Sequence, residues 1–153
     1  MAEPIRALDQ PARTKTIYPP PFDAAVAGRA KRALGDVFNL TQFGVNLTVL
    51  PPGSSSSHRH WHESEDEFVY MLEGELTLID DQGEHPLTAG MCVGFKAAVP
   101  NGHKLVNNSA APAMYLEIGT RMEGDRAHYT DADMLAVKVD GKFHLTRRDG
   151  TAY

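Results

Sequence analysis

The most informative stretch of this sequence reads His58-Arg59-His60-Trp61-His62-Glu63-Ser64-Glu65-Asp66-Glu67. Only 7 of the 153 residues are histidines, yet three of them stand at alternate positions here. Because side chains alternate between the two faces of a β-strand, alternate histidines share one face, with Arg59 and Trp61 on the other. Imidazoles on one face, followed by a carboxylate a short turn later, can bind a transition-metal ion. The stretch therefore predicts a metal site on a strand.

The sequence on either side predicts short β-strands separated by turns. Over residues 43–49, apolar residues alternate with small or polar ones, which is the pattern of a half-buried strand. Further along, turns such as residues 81–83 and 100–102 recur at short intervals. Such spacing, without alternation of strands and helices, favours an antiparallel β-sandwich or barrel over a parallel sheet. Weaker patterns predict helical turns at residues 24–33 and 131–135.

Length and composition limit the possible classes of protein. A chain of 153 residues, 42% of them hydrophobic, predicts one folded domain rather than a disordered chain. The net charge of -5 disfavours general binding to nucleic-acid backbones, and no apolar run is long enough to cross a membrane. The single cysteine, Cys92, excludes an internal disulfide, and no secretory signal is visible, so a cytoplasmic protein is expected. Cys92 itself is expected to be buried in a strand.

At the histidine stretch the sequence resembles the cupin superfamily, whose small members are double-stranded β-helices, also called jelly-roll barrels. The first cupin motif orders a glycine, a His-x-His pair, a glutamate and a second glycine. Here these residues are Gly53, His60, His62, Glu67 and Gly74, with four residues between His62 and Glu67 and six between Glu67 and Gly74. The gap between Gly53 and His60 is one residue longer than in the motif.

The second cupin motif is matched more loosely. Its residues here are Gly94, Pro100, Gly102, His103 and Asn107, without the two-residue spacer that usually precedes the histidine. The resemblance implies that each chain binds one divalent transition metal, namely Fe, Mn, Ni, Cu or Zn. It also implies that the ligands are His60, His62, Glu67 and His103.

A competing register would use His58, His60 and Glu65 as ligands and keeps the four-residue gap to the carboxylate. It fails at the far end, because the residue at the position of the second glycine is then Leu72. The register with His60, His62 and Glu67 is therefore favoured.

The resemblance implies an all-β fold, an antiparallel cupin jelly-roll barrel with additions at both ends. Residues 1–36 are expected to form an extended N-terminal arm, residues 37–122 the barrel, and residues 123–153 a C-terminal extension that packs on the barrel or on a partner. Within this extension, residues 139–143 predict a small hairpin. The arm is expected to cover an edge strand, and the protein is expected to form a homodimer.

The sequence leaves the reaction open. A bound metal can act as a Lewis acid on a small oxygen-rich substrate, in an isomerase or lyase reaction, or can support dioxygenase chemistry. Proton transfer would need a base, for which the candidates are His58, Tyr70, Tyr115 or a metal-bound hydroxide. Further candidates for the pocket wall are Lys96, Glu117 and Arg121. The alternative is a non-catalytic protein that binds a small polar, sugar-like molecule; the chain also resembles small bacterial single-domain cupins, some of which are labelled sugar-phosphate isomerases.

Overall fold

The computed structural model describes residues 3–153, and most of its regular structure is β-strand. In chain order the strands are β1 Ala30–Ala33, β2 Phe43–Leu50, β3 His60–His62, β4 Glu67–Glu73, β5 Glu75–Asp80, β6 Gly83–Thr88, β7 Cys92–Phe95, β8 Lys104–Val106, β9 Ala113–Thr120, β10 Arg126–Tyr129, β11 Leu135–Val139 and β12 Lys142–Thr146. A short α-helix, α1 Leu34–Val37, and two 3-10 segments, Ala7–Asp9 and Phe22–Val26, complete the regular structure of these residues. No helix in this range has the length and apolar character that a membrane crossing requires.

The strands form three sheets, and every strand pairing among the described residues is antiparallel. The largest sheet has the order β1-β2-β9-β4-β7, the second β12-β11-β10-β3, and the third β6-β5-β8. The strand expected at residues 43–49 is β2, which pairs along its whole length with β9. The predicted antiparallel all-β class is thus confirmed.

The main core contains the inward side chains of the largest and the smallest sheet. Its fully or nearly fully buried members are Leu50, Val69, Met71, Leu76, Leu78, Leu87, Leu105, Ala113 and Tyr115. Along β4, Val69 and Met71 are buried whereas Phe68 and Tyr70 are exposed, which is the alternation of a sheet with one wet face. Burying each large apolar side chain contributes about 1.5–3 kcal/mol, so these contacts hold the two sheets together.

A second core lies between the N-terminal segment and the four-stranded sheet. Its buried members are Tyr18, Val26, Ala127, Tyr129, Met134 and Ala136. Because Tyr18 and Val26 come from the first fifth of the chain and the others from its last fifth, this core joins the two ends of the sequence.

The glycine that ends the first motif has a backbone reason to be glycine. Gly74 links β4 to β5 with φ +79°, a left-handed conformation that side-chain-bearing residues rarely adopt. A Cβ at this position would lie 2.9 Å from the Cα of Ala113, on the neighbouring β9. The motif residue therefore permits a tight turn against another strand.

The N-terminal segment differs in part from the sequence prediction. Only the start of the helical turn expected at residues 24–33 is helical: Phe22–Val26 is a 3-10 segment, whereas Ala30–Ala33 is a strand that pairs with β2. The segment before it covers the outer edge of this strand, because the backbones of Arg13 and Lys31 exchange two hydrogen bonds of 2.8 and 2.9 Å. The first two residues of the predicted arm lie outside the described residues.

The C-terminal residues join the sheet that carries the histidine stretch. β10 pairs with β3, matching Tyr129 with His60 and Ala127 with His62. The expected hairpin at residues 139–143 is present as the connection between β11 and β12. The helical turn expected at residues 131–135 is not formed, because these residues make bends before β11 begins.

Candidate functional site

The two histidines of β3 lie on one face of a strand, as the alternation predicted. The rings of His60 and His62 have centroids 5.0 Å apart and stand nearly perpendicular to each other. Trp61 lies on the opposite face, where its ring stacks on His128 at 4.5 Å. Pairing with β10 on one side and a bridge between His60 and His103 on the other fix the strand in place.

Glu67 stands at the start of β4 and faces both histidines and His103. Its Oε2 lies 2.8 Å from Nε2 of His103 and 3.8 Å from Nε2 of His60, and its Oε1 lies 3.6 Å from Nε2 of His62. Ligand atoms of His60, His62 and Glu67 all lie within 4.8 Å of one another. The structure thus brings the four sequence-predicted residues together, with His103 joined to the group through Glu67.

The imidazole rings are oriented in a way that suits a metal. Nδ1 of His60 lies 2.9 Å from the carbonyl oxygen of His58, and Nδ1 of His62 lies 2.6 Å from Oδ2 of Asp125. These outer contacts leave the Nε2 atoms facing Glu67. Three imidazoles and one carboxylate are a donor set suited to a first-row transition-metal ion, and outer hydrogen bonds of this kind commonly orient ligating histidines. The residues present therefore fit a metal of the predicted type.

The charges of the cluster shift the pKa of two of its members. Burial alone would raise the pKa of Glu67, but hydrogen bonds from His103 and His60 and the nearby charges of the histidines hold it well below its usual range. For His62, burial lowers the pKa, but the hydrogen bond to Asp125 and the charges of the surrounding carboxylates outweigh it and raise the pKa. The anionic carboxylate of Glu67, which faces three imidazoles, is a group that also attracts a cation.

The residues of the competing register do not converge. Nε2 of His58 points away from the cluster and lies 2.8 Å from the carbonyl oxygen of Phe22, while its ring packs edge-on against Tyr18. Glu65 is buried, forms an ion pair with Lys138 and accepts a hydrogen bond of 2.8 Å from the backbone of Met122. His58 and Glu65 thus hold the structure together around the site.

Asp125 is a residue that sequence reasoning missed. Its carboxylate is wholly buried and accepts hydrogen bonds from His62 and from the backbone N–H of Ser64, the latter at 2.8 Å. Ligand atoms of His62, Glu65 and Asp125 also lie within 4.8 Å of one another. Both oxygens of Asp125 and Oε1 of Glu65 already accept hydrogen bonds from protein donors, which makes this group a support for His62.

The cluster opens into a cavity of about 410 Å³, within the size range of small-molecule sites. Of the predicted pocket residues, Tyr115, Glu117 and Arg121 line it. Tyr70 does not, because it lies on the outer face of β4 and is 40% exposed, and Lys96 is not among the lining residues either. The sequence did not single out several further lining residues, notably Lys15, Tyr18, Arg29 and Lys31.

Burial raises the pKa of the Tyr115 hydroxyl well above its ordinary value, and the charge of Glu117 adds to this. Tyr115 therefore keeps its proton at neutral pH, which suits a hydrogen-bond donor better than a base.

Cys92, expected to be buried, is exposed instead, because it lies opposite Tyr70 on the outer face of the sheet.

Comparison with known proteins identifies the class. The cupin domain family model matches residues 46–119, which include all four residues of the histidine–glutamate cluster. A solved structure from Silicibacter pomeroyi is 44% identical over 99% of this chain and 96% of that chain, with a TM-score of 0.93. The chain belongs to the cupin superfamily.

The solved relatives differ in what they are said to do. The Silicibacter pomeroyi structure is described as a sugar phosphate isomerase from a cupin superfamily. A structure from Acidithiobacillus ferrooxidans, assigned as a sugar phosphate isomerase, is 29% identical over 79% of this chain and 77% of that chain, with a TM-score of 0.72. One from Thermotoga maritima, described as a predicted oxalate decarboxylase, is 20% identical over 77% of this chain and 98% of that chain, with a TM-score of 0.62, and shares the fold. No curated protein matches the chain significantly.

Proposed function

We propose that the protein is a metal-dependent cupin enzyme that isomerises a small sugar phosphate. The observation that carries the proposal is the convergence of three Nε2 atoms and the Glu67 carboxylate at the wall of one cavity. The isomerase description of a relative that matches nearly the whole chain supports the choice of reaction. A site of this size and polarity suits a small oxygen-rich molecule.

The proposed ligands of the metal are His60, His62, Glu67 and His103. A divalent transition metal bound there supplies Lewis acidity toward a carbonyl or hydroxyl oxygen of the substrate. The protein orients this site through Asp125, which holds His62, and through the His58 backbone, which holds His60.

Isomerisation between adjacent carbons also needs a base, and we assign this role to Glu117. Its Oε1 accepts hydrogen bonds of 2.6 Å from Lys31 and 3.0 Å from Asn46, which hold the carboxylate in place. Both hydrogen bonds of Glu117 go to Oε1, so Oε2 has no protein donor among the described residues, and the residue lines the cavity. Tyr115, with its raised pKa, is suited to donate a hydrogen bond to the substrate.

The test combines elemental analysis with an activity screen. Untagged protein is expected to contain about one transition-metal ion per chain. The metal-loaded protein is expected to exchange the C2 hydrogen of an aldose phosphate, or a C1 hydrogen of a ketose phosphate, followed by proton NMR in D₂O. Glu117→Gln is expected to lower the turnover rate about 10²–10⁴-fold without loss of metal, and the exposed Glu84→Gln to leave both unchanged.

Other outcomes of the same screen would replace the proposal. Oxygen consumption with an iron- or copper-loaded protein, and no isomerisation, would make the protein a dioxygenase. Sugar binding without any turnover would make it a binding module. Full activity of Glu117→Gln would remove the base from Glu117.

We also propose a homodimer formed through the outer face of the largest sheet. On β4, the side chains of Phe68, Tyr70 and Leu72 are 39–40% exposed and form an apolar strip beside β9. Light scattering is expected to give twice the chain mass of 16.8 kDa. Phe68→Glu is expected to reduce it to one chain mass, and Val139→Glu, at the exposed end of β11 in another sheet, to leave it unchanged. A monomeric wild-type protein would contradict the proposal. We further propose that the protein is cytoplasmic, a location that its single cysteine fits.

A further inference from the structure

Arg29 is a cavity-lining cation whose guanidinium group is only partly used by the protein. The residue follows Gly28, just before β1, and is half-buried. Its Nη1 donates a hydrogen bond to the carbonyl oxygen of Ser56. A guanidinium carries five N–H donors in a rigid plane, and among residues 3–153 no carboxylate pairs with Arg29. The group therefore keeps most of its charge and donors for another partner.

Three other cationic side chains of the cavity wall already form ion pairs with carboxylates of the protein. Lys31 pairs with Glu117 at 2.6 Å, Arg121 pairs with Asp36 at 2.5 Å, and Lys138 pairs with the buried Glu65. Lys15 also lines the cavity, but it is exposed at the rim. Within the described residues, Arg29 is thus the half-buried lining cation that is free to bind an anion.

Arg29 faces the same space as the histidine–glutamate cluster. Ser56, which accepts its hydrogen bond, is followed by Ser57, whose Oγ lies 3.2 Å from Nδ1 of His60. Burial raises the pKa of three tyrosines, Tyr18, Tyr115 and Tyr129, and for all three the charge of Arg29 opposes this rise while the charge of Glu67 adds to it. The charges of the Arg29 guanidinium and of Glu67 in the cluster therefore both reach the same three tyrosines, which line one cavity.

We propose that Arg29 binds the phosphate group of the substrate and so sets which end of the molecule faces the histidine–glutamate cluster. This inference rests on the proposed sugar phosphate isomerase function. A guanidinium binds a phosphate through two parallel charge-assisted hydrogen bonds, which fixes orientation as well as position. With the phosphate held at Arg29, the carbonyl and hydroxyl oxygens of the sugar extend toward Glu67 and Glu117.

The test measures binding of inorganic phosphate by calorimetry to both the metal-free and the metal-loaded protein. Phosphate is expected to bind both forms, and Arg29→Gln to weaken this binding about 10–100-fold. The exposed Arg6→Gln is the matched control and is expected to bind phosphate as the wild type does. Metal content is expected to stay the same in every variant, because Arg29 does not touch the proposed ligands.

The assignment would be overturned if phosphate bound Arg29→Gln as tightly as the wild type, or if the wild-type protein bound no phosphate in either form. Tighter binding of acetate than of phosphate would likewise overturn the choice of phosphate. If Arg29→Gln does not fold, Arg29→Lys is the deciding variant, because lysine keeps the positive charge but lacks the paired donors of the guanidinium. Severalfold weaker phosphate binding by Arg29→Lys would support the proposal, and unchanged phosphate binding would contradict it. If the protein binds phosphate at Arg29 but binds no metal, the proposed metal-dependent enzyme is refuted and the proposed anion site is retained.

Discussion

Nδ1 of His62 lies 2.6 Å from Oδ2 of Asp125, and the carboxylate of Asp125 has no exposed surface. The two residues are far apart in the sequence but adjacent in the four-stranded sheet region, where Asp125 immediately precedes β10. Because the carboxylate accepts from Nδ1, it fixes the ring and leaves Nε2 for a cation. The strength of the site is therefore set partly by a residue outside the ligand group.

The first prediction concerns this contact. Asp125→Asn is expected to weaken metal binding about 10–100-fold, as loss of a supporting carboxylate commonly does. Competition with a chromogenic chelator measures the affinity. Asp131→Asn, at an exposed carboxylate, serves as the control. An unchanged affinity in Asp125→Asn would mean that the contact does not orient His62.

The second prediction concerns the proposed ligands themselves. His60→Ala and His103→Ala are each expected to lose stoichiometric metal binding, because each removes one imidazole from the shell around Glu67. His144→Ala, an exposed histidine on β12, is expected to bind metal normally. Elemental analysis after dialysis decides between these outcomes. Full occupancy in a His60→Ala/His103→Ala double variant would show that the ligands are elsewhere.

The third prediction is a loss of stability in acid. The pKa of Asp125 and that of Glu67 are lowered from ordinary values of 3.8 and 4.5, against the opposing effect of burial, by hydrogen bonds from histidines. A carboxylate with a lowered folded-state pKa stabilises the fold above its unfolded-state pKa. That stability is lost as the pH falls through the folded-state value.

Urea unfolding of the metal-free protein between pH 7 and acid is therefore expected to show a free energy of unfolding that declines below about pH 4.5. Asp125→Asn removes one of the two groups and should flatten the decline. Equal slopes in the variant and the wild type would show that Asp125 does not contribute to the acid sensitivity.

The fourth prediction concerns the buried ion pair beneath the site. Lys138 and Glu65 are 8% and 7% exposed, so Lys138→Met leaves an uncompensated buried carboxylate. Loss of one partner of a buried pair costs about 3–5 kcal/mol, measured as the free energy of unfolding in urea. The exposed Lys142→Met should change it little. The double variant Glu65→Gln/Lys138→Met carries neither charge of the pair, so part of the lost free energy of unfolding is expected to return. A loss equal to the sum of the losses in the two single variants would argue against coupling between the two residues.

The sequence predicted what depends on local alternation. The strand over residues 43–49 and the shared face of His60 and His62 follow directly from a period of two residues. The choice of Glu67 over Glu65 came from motif spacing, and the structure brings Glu67 to the histidines while Lys138 pairs with Glu65.

What the sequence did not predict depends on long-range contacts. Ala30–Ala33 is a strand because β2 and Arg13 lie on its two sides, and residues 24–33 alone carry no such signal. Alternation also does not say which face of a strand is inside, so Tyr70 was a candidate for the pocket and Cys92 was expected to be buried, although both are exposed. Asp125 carries no local signal, because its partner His62 belongs to a distant part of the chain.

Part of the cavity wall comes from a different stretch of the chain than the histidine–glutamate cluster. Lys15, Tyr18, Arg29 and Lys31 precede the first motif, whereas the histidine–glutamate cluster lies entirely between residues 60 and 103. Substitutions in the N-terminal stretch can therefore change the shape and charge of the cavity wall while the histidine–glutamate cluster stays untouched. The two properties can vary separately, because the residues that carry them lie in separate segments of the chain.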